Sequence, residues 1–199
     1  MNALKLFGLL LTIAFVSSAF TTPPTEAIYK VDLGKSQVFW KGYKVTGSHE
    51  GTLTLKNGEL TYTDNQLSGG SFDIDMTSLD CTDLKGGGKT KLEGHLKSTD
   101  FFNVAEFPTA RFEITKVVSR GKTGDYKIIG DLTIKGITKS IKFQAMVNDA
   151  SDGKTATAST TIDRSEFNIR YGSGSFFDNL GDKTIYDEFD LSINLVLAQ

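Results

Sequence analysis

Few side chains in this sequence of 199 residues have the chemistry for catalysis or metal binding. There are two histidines, His49 and His95, and a single cysteine, Cys81. No His-x-x-x-His or Cys-x-x-Cys pair places two ligands together, so a metal would have to draw on carboxylates scattered over several elements. His95 stands beside Leu96 on the apolar side of a short helical pattern, where it reads as a core or pocket-edge histidine rather than a ligand or base. Asp73, Asp75, Asp80 and Asp83 form one acidic run, and Asp178, Asp182, Asp187 and Glu188 another. Neither has the glycine and glutamate positions of a calcium loop, so both read as solvated edges and turns. A Gly-x-Ser-x-Gly elbow is missing, and Gly172-Ser173-Gly174-Ser175 does not open a helix in a βαβ unit. The expectation is a protein with no enzymatic reaction, no catalytic residue, no resident cofactor and no metal.

The apolar side chains are more informative. Phe101-Phe102, Phe107, Phe112, Phe167, Tyr171 and Phe176-Phe177 cluster at or near segments that do not alternate. On a strand, adjacent phenylalanines would force one ring outward; in a capping segment both can pack. Such a segment could plug the end of a core or line an apolar mouth for a long hydrocarbon. Each methylene buried there contributes about 0.8 kcal/mol, enough to hold a hydrocarbon chain without specific polar contacts. A polar head would need only a few donors, for which Lys97, Arg111, Arg164 and Arg170 are candidates.

The elements that must position these residues are strands. Residues 28–32, 37–43, 51–56, 59–63, 70–76, 110–118, 125–134, 140–148, 155–163 and 184–197 carry strand signals between short turns. Asn57-Gly58 predicts a tight hairpin. The interruption is residues 94–112: Leu92, His95 and Leu96 fall at helical spacing after Gly86-Gly87-Gly88, which reads as a flexible joint. The pattern of about eight substantial strands predicts an all-β antiparallel sandwich or closed barrel with a short helical insert. The inward set includes Phe72, Met76, Phe112, Ile114, Leu132, Ile134, Phe143 and Ile193. Eight strands make a barrel wide enough to be filled by side chains or to hold one slender ligand, and the pattern leaves both open.

Residues 1–19 form a separate unit. Lys5, the apolar run Leu6 to Val16 and Ser17-Ser18-Ala19 have the three parts of a secretory signal, which predicts cleavage after Ala19 and a domain over 20–199. The apolar run is too short for a spanning helix. Without Lys5 the acids outnumber the bases by three, and no basic block points to nucleic acid. With one cysteine, stability must come from the core rather than from disulfides.

Several segments in order carry a family resemblance: residues 45–51; Ile74-Asp75-Met76-Thr77-Ser78-Leu79-Asp80; Gly94-His95-Leu96-Lys97-Ser98-Thr99-Asp100-Phe101-Phe102; Phe107-Pro108-Thr109-Ala110-Arg111-Phe112; residues 130–139; and residues 163–169. Together they resemble the YceI-like family of polyisoprenoid-binding periplasmic proteins over nearly the whole chain after the leader. The resemblance implies an eight-stranded lipocalin-like antiparallel barrel with an elongated apolar pocket for a polyisoprenoid or quinone-like lipid. The ligand-binding set expected is Trp40, Phe72, Ile74, Met76, Leu92, His95, Leu96, Phe101, Phe102, Phe112, Ile114, Leu132, Ile134, Phe143, Phe167 and Phe176, with the head near His95 and residues 164–178. The protein is then expected to be periplasmic or secreted, a monomer or homodimer, without stable membrane insertion. The competing expectation is a stress-related envelope protein with a filled core that acts through surface contacts.

Overall fold

The computed structural model describes residues 23–150 and 153–198. The expected leader lies outside the described residues. Nine strands follow one another: β1 (Glu26–Val31), β2 (Gln37–Lys44), β3 (Gly47–Thr63), β4 (Gln66–Cys81), β5 (Thr109–Ser119), β6 (Asp125–Ile134), β7 (Ile137–Ala150), β8 (Gly153–Asp163) and β9 (Ile185–Ala198). Helix α1 (Gly86–Lys97) lies between β4 and β5. All pairings are antiparallel, and β2 through β9 close on themselves through β2–β9, β2–β3 and β3–β4 contacts. The result is the closed eight-stranded antiparallel barrel with one helix. The ninth strand adds no stave. β1 pairs with the second half of β3 and the end of β9, while β2 pairs with the first half of β3 and the body of β9. Thus β1 and β2 share one stave, broken at residues 32–36, and the Ser36 hydroxyl accepts from Val196 N across that break at 2.9 Å.

The expected Asn57-Gly58 hairpin does not form. β3 runs through both residues, and the chain reverses at Asp64-Asn65, where φ is 50° and 61°. Both values are left-handed, as a two-residue hairpin turn requires. A register shift against β4 falls between Leu55 and Asn57, so the inward phase passes from Leu53 and Leu55 to Leu60 and Tyr62. That phase slip, with Asn57 donating to Asp73 at 2.8 Å, is a bulge that mimics a turn signal in the sequence. A Cβ on Gly58 would lie 2.8 Å from the Phe72 ring and 2.9 Å from Val31, so the glycine admits core packing rather than a turn.

Gly86-Gly87-Gly88 likewise differs from expectation: it is the first turn of α1, not a joint before it. No side chain caps that end, and no residue of α1 is fully buried. Polar contacts fix the helix instead: Lys89 reaches Asp80 at 2.8 Å, and Glu93 accepts from Cys81 N at 2.8 Å. Beyond α1, Phe102 N and Val104 N donate to Leu96 O and Lys97 O, satisfying carbonyls that a helix end leaves orphaned. Pro108 O then accepts from Met76 N at 3.1 Å, which ties this insert to β4. No helix among the described residues is long and apolar enough to cross a membrane.

Candidate functional site

The barrel is not filled. A cavity of about 490 Å³ lies under α1, and a second of about 120 Å³ lies deeper. They share Val38, Ile74, Leu132 and Leu191 as wall residues, so they meet inside the barrel. The larger alone falls within the ~300–1,000 Å³ typical of small-molecule pockets. The deeper chamber has a local cause: β8 turns Ala156, Ala158 and Thr160 inward, where the other staves present Phe72, Phe112, Ile128 and Phe143. Phe112 stands 6.5 Å from Phe72 and 5.4 Å from Phe143, making a continuous aromatic wall in that chamber.

The expected lining is largely gathered here. Trp40, Met76, Leu92, His95, Leu96, Phe101, Phe102 and Ile134 line the larger cavity; Phe72, Phe112, Ile114 and Phe143 line the deeper one; Ile74 and Leu132 line both. Two residues lie elsewhere. Phe167 is wholly buried in the 3-10 turn Arg164–Phe167, outside both cavity walls. Phe176 sits on the surface with the Arg170 guanidinium 4.8 Å from its ring centre. Both follow β8 in segments whose direction no strand period reveals. Tyr171, expected in the aromatic cluster, lines the larger cavity, as do Lys44, His49, Lys91, Tyr186 and Phe189, which the expected ligand-binding set did not include. Lys44 was legible, since Val38, Trp40, Gly42 and Lys44 share one face of β2. Lys91 was also legible, four residues before His95 on α1.

Trp40 is held by Gly51. A Cβ on Gly51 would lie 1.9 Å from Asp80 O and 2.7 Å from the Trp40 ring, so only glycine lets the indole lie against β3. The Trp40 Nε1 and His95 Nε2 atoms are buried without hydrogen-bond partners. The His95 ring makes edge contacts with Tyr171 at 4.3 Å and Phe101 at 5.8 Å between centres, and Phe101 and Phe102 pack edge to face at 5.0 Å. These contacts make the helix-and-turn insert an aromatic cap over the larger cavity.

Among the described residues, Arg164 is the one charged side chain buried at the cavity wall, 2% exposed. Its Nε donates to Tyr186 O at 3.1 Å, Nη1 to Ile169 O at 2.7 Å and Nη2 to Ile185 O at 2.9 Å. Its Nη2 also lies 3.2 Å from Asp187 Oδ1, an ion pair without hydrogen-bond geometry. Burial pushes the guanidinium pKa down, and Asp187 and Asp163 work against that. Its donors are thus occupied with fixing residues 169 and 185–187. Of the other expected head-group donors, Arg111 pairs with Asp73 and Glu113, Arg170 binds Asn168, and neither these nor Lys97 line the cavity.

The two histidines, far apart in sequence, both reach the larger cavity. His49 Nδ1 lies 2.9 Å from Asp83 Oδ2, while Asp83 Oδ1 accepts from Glu50 N and the Cys81 thiol, each at 3.1 Å. Burial of Asp83 opposes its ionisation, but the hydrogen bonds from Cys81, His49 and Glu50 outweigh it and hold the carboxyl at about 2. Burial and the Asp83 contact push the Cys81 thiol up. Asp83 is therefore a structural acceptor that orients His49, not simply a solvated edge residue.

The sequence pattern of the YceI-like domain matches residues 29–197. The chain belongs to the YceI-like family. A UPF0312 protein of Pseudomonas putida (strain W619) is 30% identical over 157 residues, covering 72% of this chain and 77% of that protein. Among solved structures, BcnA of Burkholderia cenocepacia has a TM-score of 0.69 at 24% identity, over 83% of this chain and 98% of its own. A polyisoprenoid binding domain from Saccharophagus degradans, implicated in plant cell wall breakdown, has a TM-score of 0.62 at 14% identity, over 85% of this chain and 97% of its own. These likenesses establish the fold.

Proposed function

We propose that this protein is a lipid carrier of the bacterial envelope that encloses an isoprenoid chain, free or borne on a quinone-like head, inside its barrel. The observation that carries the reading is the apolar cavity pair, about 490 Å³ and 120 Å³, walled by aromatic and aliphatic side chains under an aromatic cap. The family supports it, as does the shared fold with a domain described as polyisoprenoid binding. The leader-like residues 1–19 support export to the periplasm or beyond. The competing reading, an envelope protein acting through its surface, required a filled core, and the cavities count against it. Two of the polar groups at the cavity hold the structure in place: Arg164 is bonded to three carbonyls, and His49 is tied to Asp83.

The test is lipid extraction from the purified protein followed by mass spectrometry, with titration of a long-chain prenol against it. Trp40 is the sole tryptophan and stands in the cavity wall, so its fluorescence should report filling directly. Co-purifying prenyl lipid and saturable Trp40 quenching are expected. A lipid-free protein that leaves Trp40 unchanged in excess prenol would sink the reading.

A further inference from the structure

The charge around the larger cavity is one-sided. Lys44, Lys91, His49, His95 and Arg164 line it, and among the described residues no Asp or Glu does, in a chain whose acids outnumber its bases. Carboxylates on the surrounding elements are engaged with other partners: Glu50 with Lys41 at 3.3 Å, Asp83 with His49 at 2.9 Å, Asp80 and Glu93 with Lys89, Asp187 with Arg164, and Asp190 with Tyr43 at 2.6 Å. Arg164 has its donors occupied, and the His95 Nε2 atom is buried. Lys44 and Lys91 differ. Both are exposed, both line the cavity, and among the described residues neither carries an ion pair. Lys44 ends β2 and Lys91 stands on α1, so two elements bring unpaired ammonium groups to one cavity, while His49 on β3 is paired with Asp83.

Two unpaired ammonium groups beside an apolar cavity suit an amphiphile with an anionic head, because the tail is buried while the head stays at the wet rim. We propose that Lys44 and Lys91 form a basic collar that receives the oxyanion head, phosphate or carboxylate, of a lipid whose hydrocarbon tail occupies the barrel. This rests on the lipid-carrier reading and adds polarity to it: tail inward past Trp40 and Met76, head outward between β2 and α1. A neutral prenol would gain only the tail's share of binding. The collar also explains why the apolar interior can do without a free cation.

The experiment titrates the full chain with geranylgeranyl phosphate, geranylgeraniol and a fatty acid of similar length, read by Trp40 fluorescence, for the natural sequence and for the Lys44→Gln/Lys91→Gln double variant. Both lysines are exposed, so the variant keeps the fold, which circular dichroism verifies. The phosphate is expected to bind about tenfold more tightly than the alcohol, and the double variant to erase that difference without weakening the alcohol. High salt should narrow the gap. A fatty acid that follows the phosphate assigns the collar to oxyanions in general; one that follows the alcohol assigns it to phosphate. Equal affinities for phosphate and alcohol in the natural sequence would overturn the collar while leaving the lipid-carrier reading intact. A preference that survives the double variant would overturn the assignment to Lys44 and Lys91. Failure of all three amphiphiles to bind would remove the lipid-carrier reading itself.

Discussion

Asp83 shows how much one carboxylate can organise. It joins the start of β3, through His49 and Glu50 N, to the end of β4, through Cys81. Its folded value of about 2 lies below the ~3.9 of an unfolded aspartate. A depressed folded pKa gives stability that is present above the unfolded value and is lost as pH falls through the folded one. Urea unfolding should therefore show about 1 kcal/mol lost between pH 5 and pH 2 from this group, after allowing for its partial exposure. Asp83→Asn should be less stable at pH 5 and should have a shallower pH dependence in that window. An identical slope in the variant would remove Asp83 from the account. At this scale the sequence was legible where a strand period held: Trp40, Ile74, Met76, Leu132 and Ile134 were readable as inward, and all line the larger cavity. It was illegible where a side chain's role depends on a remote partner. Nothing in the spacing of His49 and Asp83 announces a 2.9 Å contact across 34 positions.

The elements teach the same distinction. β6, β8 and β9 fall close to their expected bounds because alternation and short turns specify them. β3 does not, because a bulge and a hairpin both break the alternation and both favour Asn and Gly; only pairing with β4 tells them apart. Helix α1 is the element that local propensity supports least. It opens with three glycines, has no side-chain cap and buries no residue completely. A methyl group on Gly87 would meet nothing within 4 Å, and its backbone is not left-handed. Gly87→Ala should thus stabilise α1 by about 0.5–1 kcal/mol. Slower amide hydrogen exchange along α1 is the measurement; unchanged or faster exchange would show that the glycine is there for another reason.

For the whole molecule, the closed barrel was legible, but its hollowness was not. Whether eight staves enclose a void depends on how side-chain volumes from different strands sum at one level, and no single strand carries that information. The deeper chamber makes the point, since its wall combines Ala156 and Ala158 of β8 with Phe72 and Phe112 from β4 and β5, strands that do not pair with β8. Ala158→Phe should close it. A long prenol that reaches this chamber should then bind roughly tenfold more weakly or worse, at about 0.8 kcal/mol per displaced methylene, while a short prenol confined to the larger cavity should be unaffected. Equal losses for both tail lengths would mean that the tail does not extend past Leu191.

The shared stave has a kinetic consequence. β1 and β2 are the first strands of the barrel along the chain, yet each leans on β9, with Val31 opposite Leu197 and Val38 opposite Ile193. Neither seam can zip until the last strand is present, so the polypeptide must hold two amphipathic segments open while everything between them is made. Such long-range closure costs chain entropy early and is repaid late, which marks a slow folder. The same delay is an opportunity. Until β9 docks, the apolar lumen is open along its side, and a lipid too long to thread through the mouth could be enclosed as the barrel shuts around it.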